Sequence, residues 1–235
     1  MSLGFGTLAR IGQLYPSGGL CDYEIQLMAP EGVQFITTRV PFKSTDLQQH
    51  HIFCAHLEKH ANLVADAGVE LIAVNCTAVT MLAGSEKLKQ RLFSATAKPT
   101  VTTIEAVLAA LKQQKMQRIG LLTPYVDEVI KAEIAFLAEH GIEVVQSHNT
   151  PCHSPIEQGQ YPAKHWLRMA QQFQEVDMDG LLISCAGIQV AKELAAIEHM
   201  LQRPVVASNQ ALLWYCLKHL QLKVPVYGFG SLLAV

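Results

Sequence analysis

At 235 residues, half of them hydrophobic and 16% charged, the chain carries enough apolar surface to bury a large core, as one big domain or two small ones. A formal net charge of −2 gives no electrostatic footprint for nucleic acid or an anionic membrane, so the expected partner is a small molecule. No apolar run approaches the roughly 18 residues that span a bilayer, and no basic stretch followed by a long apolar one opens the chain, which reads as a soluble cytoplasmic protein.

Residues 9–15 read as a first strand, closed by Pro16-Ser17-Gly18-Gly19. Glycines there free backbone N–H groups to approach a ligand, which makes the turn a candidate anion cradle before a short helix at 22–28. Residues 33–40 alternate as a second strand, and 44–67 carry a long helical pattern with Ser44 or Thr45 as its cap. His56 and His60 fall four apart on that pattern, but Gln48, Gln49, Glu58 and Lys59 mark it as solvated, so no metal is expected.

The next stretch occurs twice. Val69-Glu-Leu-Ile-Ala-Val-Asn-Cys-Thr-Ala-Val79 and Met178-Asp-Gly-Leu-Leu-Ile-Ser-Cys-Ala-Gly-Ile188 are each a short apolar run ending at a cysteine, then small residues and a helix-like segment. Each reads as a buried strand, a tight turn and a helix start. Ligands of open parallel sheets bind beyond the carboxyl ends of strands, so Cys76 and Cys185 sit where chemistry is usually placed. The other four cysteines form no metal or redox spacing, and Cys54 and Cys216 read as buried small hydrophobes.

The duplication extends further. Lys98-Pro-Thr-Val-Thr-Thr103 recurs as Arg203-Pro-Val-Val-Ala-Ser208, each before a helix (104–114 and 209–220), and Arg10-Ile-Gly12 recurs as Arg118-Ile-Gly120. The second unit opens with a strand at 118–123, the turn Pro124-Tyr125, a helix at 127–140 ended by Gly141, and a strand at 142–146. Residues 147–162 hold three prolines and little apolar content, and read as a mobile cover over the site.

The turn Asn75-Cys76-Thr77, the turn Leu122-Thr-Pro-Tyr125, Ser184-Cys185-Ala-Gly187 and Val206-Ala-Ser-Asn-Gln-Ala-Leu-Leu-Trp214 together resemble the aspartate/glutamate racemase superfamily, nearest to maleate cis-trans isomerase and arylmalonate decarboxylase. The resemblance implies an α/β fold of two pseudo-symmetric domains, each a four-stranded parallel sheet flanked by helices, with the active site in the cleft between them. It implies domain bounds of 1–97 plus 205–235 and 98–204, the last strand and helix crossing back to the first domain. It assigns Cys76 as nucleophile and Cys185 as acid/base partner, Tyr125 and Thr77 as substrate-binding side chains, and places Asn75, Ser208 and Asn209 at the site. Two departures stand out. Maleate isomerases carry a Pro-Ser-Ser-Asn turn where this chain reads Pro16-Ser17-Gly18-Gly19, and the decarboxylase has glycine where this chain has Cys76.

The thiol chemistry fits independently. A thiolate, a few per cent ionised near neutral pH, suits conjugate addition to an activated alkene. Ser17, Gly18, Thr77, Tyr125 and the backbone N–H groups of Ala186 and Gly187 are the candidate donors to a substrate carboxylate. The leading expectation is cofactor-independent cis-trans isomerisation of a maleate-like unsaturated dicarboxylate through a cysteine adduct. The alternatives are an amino-acid racemase using both thiols as bases, with a loop acid such as Glu157 for the ammonium, then an arylmalonate-type decarboxylase, then a metabolite-binding module. A homodimer stays open.

Overall fold

The computed structural model describes residues 5–46 and 49–234. Met1 to Gly4, Leu47, Gln48, the side chain of Gln49 and the terminal Val235 lie outside the described residues. The first half runs β1 (Ala9–Pro16), α1 (Glu24–Met28), β2 (Val33–Val40), α2 (Gln49–Cys54), α3 (Leu57–Ala65), β3 (Leu71–Val74), α4 (Thr77–Ala83), α5 (Ser85–Thr96), β4 (Thr100–Thr102) and α6 (Thr103–Gln113). The second runs β5 (Arg118–Thr123), α7 (Asp127–Glu139), β6 (Glu143–Asn149), α8 (Pro155–Gln160), α9 (Ala163–Ala170), β7 (Gly180–Ile183), α10 (Leu194–Leu201), β8 (Val205–Ala207) and α11 (Ser208–His219).

Two four-stranded sheets result, ordered β2-β1-β3-β4 and β6-β5-β7-β8, with every pairing parallel. The strands that form β3 and β7 are apolar throughout and buried along their whole length, the pattern of a parallel sheet covered on both faces. In each sheet the chain moves outward from the first strand to the second, then crosses to the other side. The points where the order reverses lie between β1 and β3 and between β5 and β7, and a ligand crevice opens at the carboxyl ends of those strands.

The repeated Arg-Ile-Gly has a packing reason. A Cβ on Gly12 would come within 2.8 Å of Val64 on α3, and one on Gly120 within 2.6 Å of the Phe173 ring. Each central strand is glycine where a covering side chain presses onto it. One hydrophobic cluster continues through both halves by way of α6 (Ile104, Val107, Leu111) and α11 (Leu212, Leu213, Leu217), and a smaller one around Phe53, Leu57 and Leu88 stays within the first half.

Three expectations change. The bounds 98–204 and 205–235 place β4 with the second domain and β8 with the first, whereas β4 pairs with β3 and β8 with β7, so each strand stays in its own half. What crosses is helical: α11 packs along α6 and against α1. The single helix expected over 44–67 is two, broken where His56 adopts φ 58° and reverses the backbone. Ser44 does not cap it but donates to Asp46.

The segment 147–162 is not structureless. β6 continues to Asn149, and α8 starts at a Ser154 cap whose oxygen accepts from the Glu157 N–H, with proline in the first turn. α9, burying Trp166 and Ala170, had no counterpart in the sequence reading, and the helix start expected directly after the Cys185 turn comes only at Leu194, behind a 3-10 turn at Ala191–Glu193.

Gly120→Val places three carbons where Phe173 and Met178 already sit. It should cost about 1–3 kcal/mol of stability from overpacking, read as a lower denaturant midpoint at unchanged slope.

Candidate active site

Cys76 lies two residues beyond the end of β3 and Cys185 two beyond β7, while Tyr15 and Pro16 close β1 and Tyr125 follows β5. The strand ends of both sheets therefore converge. Tyr15, Pro16, Gly19, Cys76 and Thr77 from the first half, and Tyr125, Cys185, Ala186 and Gly187 from the second, line one cavity. Phe42, Thr45, Val129, Pro155 and Gln158 cover it. Only about 30 Å³ is open to the centres of water molecules, room for roughly one or two waters, so this is a closed state whose walls must part for a ligand of several carbons.

The cover is latched across the two halves. The Thr45 hydroxyl donates to the Cys152 carbonyl at 2.8 Å and the Thr45 N–H to the His153 carbonyl at 3.2 Å. On the other flank the Gln189 amide donates to the Gly159 carbonyl at 3.0 Å. The Tyr125 turn is tied to the same segment by Asn149, whose amide donates to the Tyr125 carbonyl, and by the Cys152 N–H, which reaches the Pro124 carbonyl.

Behind the cavity, the first residues of α11 bridge the two cysteine turns. The Ser208 hydroxyl oxygen accepts from the Thr77 hydroxyl at 2.9 Å and from the Cys185 N–H at 3.1 Å. The Asn209 side chain accepts from the Asn75 amide at 2.9 Å and donates to the Ala186 carbonyl at 3.1 Å. Asn75 also donates to Gln13, and Tyr15 donates to the Ala186 carbonyl at 3.2 Å. All of these side chains are buried, and the bonds of Thr77 to Ser208, Asn75 to Asn209 and Tyr15 to Ala186 run between the two halves.

The two sulfurs differ in surroundings. The Cys76 sulfur meets the Val79 N–H. The Cys185 sulfur receives the Gly187 N–H at 3.1 Å and the Tyr125 hydroxyl, and its own hydrogen faces the Gln158 amide oxygen at 3.5 Å. Burial pushes the Cys76 thiol up to about 12 and Cys185 higher still, so both are protonated at neutral pH in the closed state. The few per cent of thiolate expected of a free cysteine is suppressed here because burial desolvates both sulfurs. Burial likewise raises Tyr125 well above the ordinary phenol value, keeping its hydroxyl a donor. One further ionisable group stands behind the site. Glu133 on α7 takes the Ser184 hydroxyl, and burial pushes its carboxyl up to about 7.

Several expected substrate contacts prove to be structural. Ser17 and Gly18 do not line the cavity, and the turn is no anion cradle. Its N–H groups already serve backbone carbonyls: Ser17 to Val40, Gly18 to Phe42, Gly19 to Pro16. Asn75, Ser208 and Asn209 lie behind the wall with their polar atoms engaged as above. Thr77 lines the cavity, but its hydroxyl proton is committed to Ser208, leaving its backbone N–H at the start of α4 for a ligand. Tyr125, Ala186 and Gly187 line it as expected by position, the Gly187 N–H being engaged with the Cys185 sulfur. Glu157 is exposed, accepts from the His153 N–H and faces away. The sequence reading missed Tyr15, Phe42, Thr45, Val129, Pro155 and Gln158. Pro155 and Gln158 had a signal, their place in the segment expected to cover the site.

The arylmalonate decarboxylase family model matches residues 12–233, nearly the whole chain. The chain belongs to the arylmalonate decarboxylase family. Among curated members of similar length, it is 26% identical to the maleate isomerase of Pseudomonas putida over 97% of this chain and 98% of that protein. It is 24% identical to the arylmalonate decarboxylase of Bordetella bronchiseptica over 85% of each. A solved structure of Nocardia farcinica maleate cis-trans isomerase, a cysteine-to-serine mutant with a covalently bound succinylcysteine intermediate, superposes with a TM-score of 0.89 at 21% identity, covering 96% of this chain and 98% of that one.

Two expectations follow for this member of the arylmalonate decarboxylase family. Ser208→Ala leaves the buried Cys185 N–H without an acceptor and should lower stability by about 1–3 kcal/mol in equilibrium unfolding; an unchanged midpoint would mean the bridge is dispensable. With the Cys76 thiol held up to about 12, the thiolate fraction grows with pH throughout the neutral range. Alkylation of Cys76 by iodoacetamide, followed by peptide mass spectrometry, should therefore accelerate by roughly tenfold per pH unit from pH 7 to 9. A plateau near the ordinary cysteine value would show a sulfur that is not desolvated.

Proposed function

We propose that the protein is a cofactor-independent isomerase acting in the cytoplasm, which converts a maleate-like cis-unsaturated dicarboxylate to its trans isomer through a covalent adduct on Cys76. The observation that carries this reading is that two thiols, each ending an equivalent strand of a different sheet, line one closed cavity. Six free cysteines support a reducing compartment. Curated relatives over nearly the full length are maleate isomerases, and a trapped succinylcysteine in one of the fold's solved structures supports the adduct.

The Cys76 thiolate adds to one alkene carbon. A sulfur–carbon bond forms, and the π pair moves to the neighbouring carbon and into its carboxylate as an enediolate. Cys185 gives its proton to that carbon, leaving a succinyl thioether with a single bond free to rotate. The Cys185 thiolate then removes a proton from the same carbon, the double bond re-forms in the trans arrangement, and the pair of the breaking carbon–sulfur bond returns to Cys76. Nothing is consumed. The N–H groups of Thr77 and Ala186 are the donors toward the carboxylate whose charge grows, while the Tyr125 hydroxyl stays with the Cys185 sulfur. Entry of the substrate opens the cover and lets Cys76 ionise.

The racemase alternative needs an acceptor for an ammonium group. Among the described residues no carboxylate lines the cavity, and Glu157 points outward. Decarboxylation of the arylmalonate kind is disfavoured because both cysteines are present.

Intact-protein mass spectrometry with maleate separates the roles. Cys76→Ser should form no adduct, since a serine hydroxyl is far the weaker nucleophile at neutral pH. Cys185→Ser should be nearly inactive yet accumulate the adduct on Cys76. If no variant forms an adduct while the wild type exchanges the α-proton of an amino acid in deuterated water, the racemase reading replaces this one.

A further inference from the structure

Cys185 is buried, and the direction of its hydrogen is fixed by what surrounds the sulfur. The Gly187 N–H, at 3.1 Å, and the Tyr125 hydroxyl both point donors at it. The one acceptor among its partners is the Gln158 amide oxygen, at 3.5 Å. A carbonyl oxygen only accepts, so this contact exists while sulfur carries its proton. The Cys76 sulfur meets a donor, the Val79 N–H, and no acceptor among the described residues. The two thiols that sequence makes equivalent are thus made unequal by one side chain.

Two more features place that side chain on purpose. A Cβ on Gly187 would stand 2.5 Å from the Gln158 oxygen, so the absence of a side chain at 187 is what lets the amide reach the sulfur. Gln158 is itself 5% exposed and rides on α8, which Gln189, four residues beyond Cys185, holds by the Gly159 carbonyl.

We propose that Gln158 is a catalytic residue: its amide oxygen holds the hydrogen of Cys185 in place and so makes Cys185 the acid and Cys76 the nucleophile. This rests on the two-cysteine isomerase reading. When the substrate carbon takes the proton, the S–H bond breaks, its electron pair stays on sulfur, and the thiolate keeps the Gly187 and Tyr125 donors while the Gln158 contact lapses. When the proton is taken back, the S–H bond re-forms and the amide oxygen receives it again. Because Gln158 is part of the cover, the acid is set only while the cavity is closed, in the resting state and again once the cover has reclosed over substrate.

Gln158→Met keeps the length and nearly the volume of the side chain and removes the acceptor. In the wild type the infrared S–H stretch of Cys185, isolated by subtracting the Cys185→Ser spectrum, should lie at the frequency of a hydrogen-bonded thiol, and Gln158→Met should shift it to that of a free one. With maleate, kcat should fall on the order of tenfold to a hundredfold, with KM held within about twofold and the Cys76 adduct still formed. Gln158→Glu keeps an acceptor oxygen and should recover turnover on the acid side, where its carboxyl is neutral.

An unshifted stretch, an unchanged kcat, or loss of turnover and adduct together with a fallen melting temperature in both variants overturns the proposal. If the wild type neither isomerises maleate nor forms an adduct, the isomerase reading fails on its own, and the infrared shift still decides whether Gln158 holds the proton.

Discussion

The site depends on the hydrogen bonds that Ser208 and Asn209 make across the two halves. A cleft between two sheets has no covalent reason to stay in register, and a mechanism with one thiol on each wall requires the walls to be placed within a fraction of an ångström. Ser208 joins the Thr77 hydroxyl to the Cys185 N–H, and Asn209 joins the Asn75 amide to the Ala186 carbonyl, so each residue touches both cysteine turns. They stand at the start of α11, which is itself packed along α6 and within the hydrophobic cluster common to both halves. Apolar burial brings the halves together, and the polar bracket sets their register. A buried network of this kind is costly if any member loses its partner, which is why it specifies one arrangement.

The same bracket explains what the sequence made legible and what it did not. Cys76, Cys185 and Tyr125 could be placed because strand ends at a topological switch point are a local pattern, an apolar run followed by a turn, and because the pattern occurs twice. The Ser-Asn pair was legible as belonging to the site, but its role was not, since the partners that occupy its polar atoms lie 23 to 134 positions away. The Pro16-Ser17-Gly18-Gly19 turn shows the reverse error. Glycine-rich composition signals that N–H groups are accessible, but not whether nearby carbonyls at Val40 and Phe42 have already taken them. The break in the helix at His56 has a related cause: a non-glycine residue at positive φ leaves the apolar periodicity on both sides intact, so the pattern reads through it.

Closure and acid–base chemistry are linked by desolvation. In the closed cavity, burial drives both thiols toward the protonated form, a resting state resistant to oxidation and to adventitious electrophiles. The latch that keeps it closed is modest, two hydrogen bonds from Thr45 and one from Gln189, an amount of free energy that a bound substrate can offset. Opening admits water to Cys76 and lowers the cost of its charge; reclosing over the substrate removes that water and strengthens the donors around the growing enediolate.

The buried Glu133 fits the same logic. A carboxylate so near the Ser184-Cys185 turn would add negative charge where the proposed reaction gathers a thiolate and an enediolate. Burial holds the carboxyl up at about 7, and the Ser184 hydroxyl, the one polar group that counters the shift, is the neighbour of Cys185 in the chain. Protonated, as it increasingly is below about pH 7, Glu133 leaves the only full charges among the described residues of the site on the sulfurs, beside those of the substrate. The cavity thus handles an anion without a cation, using fixed dipoles whose positions are set by the two strand ends and the α11 bracket, so rigidity supplies what a lysine or arginine would supply elsewhere.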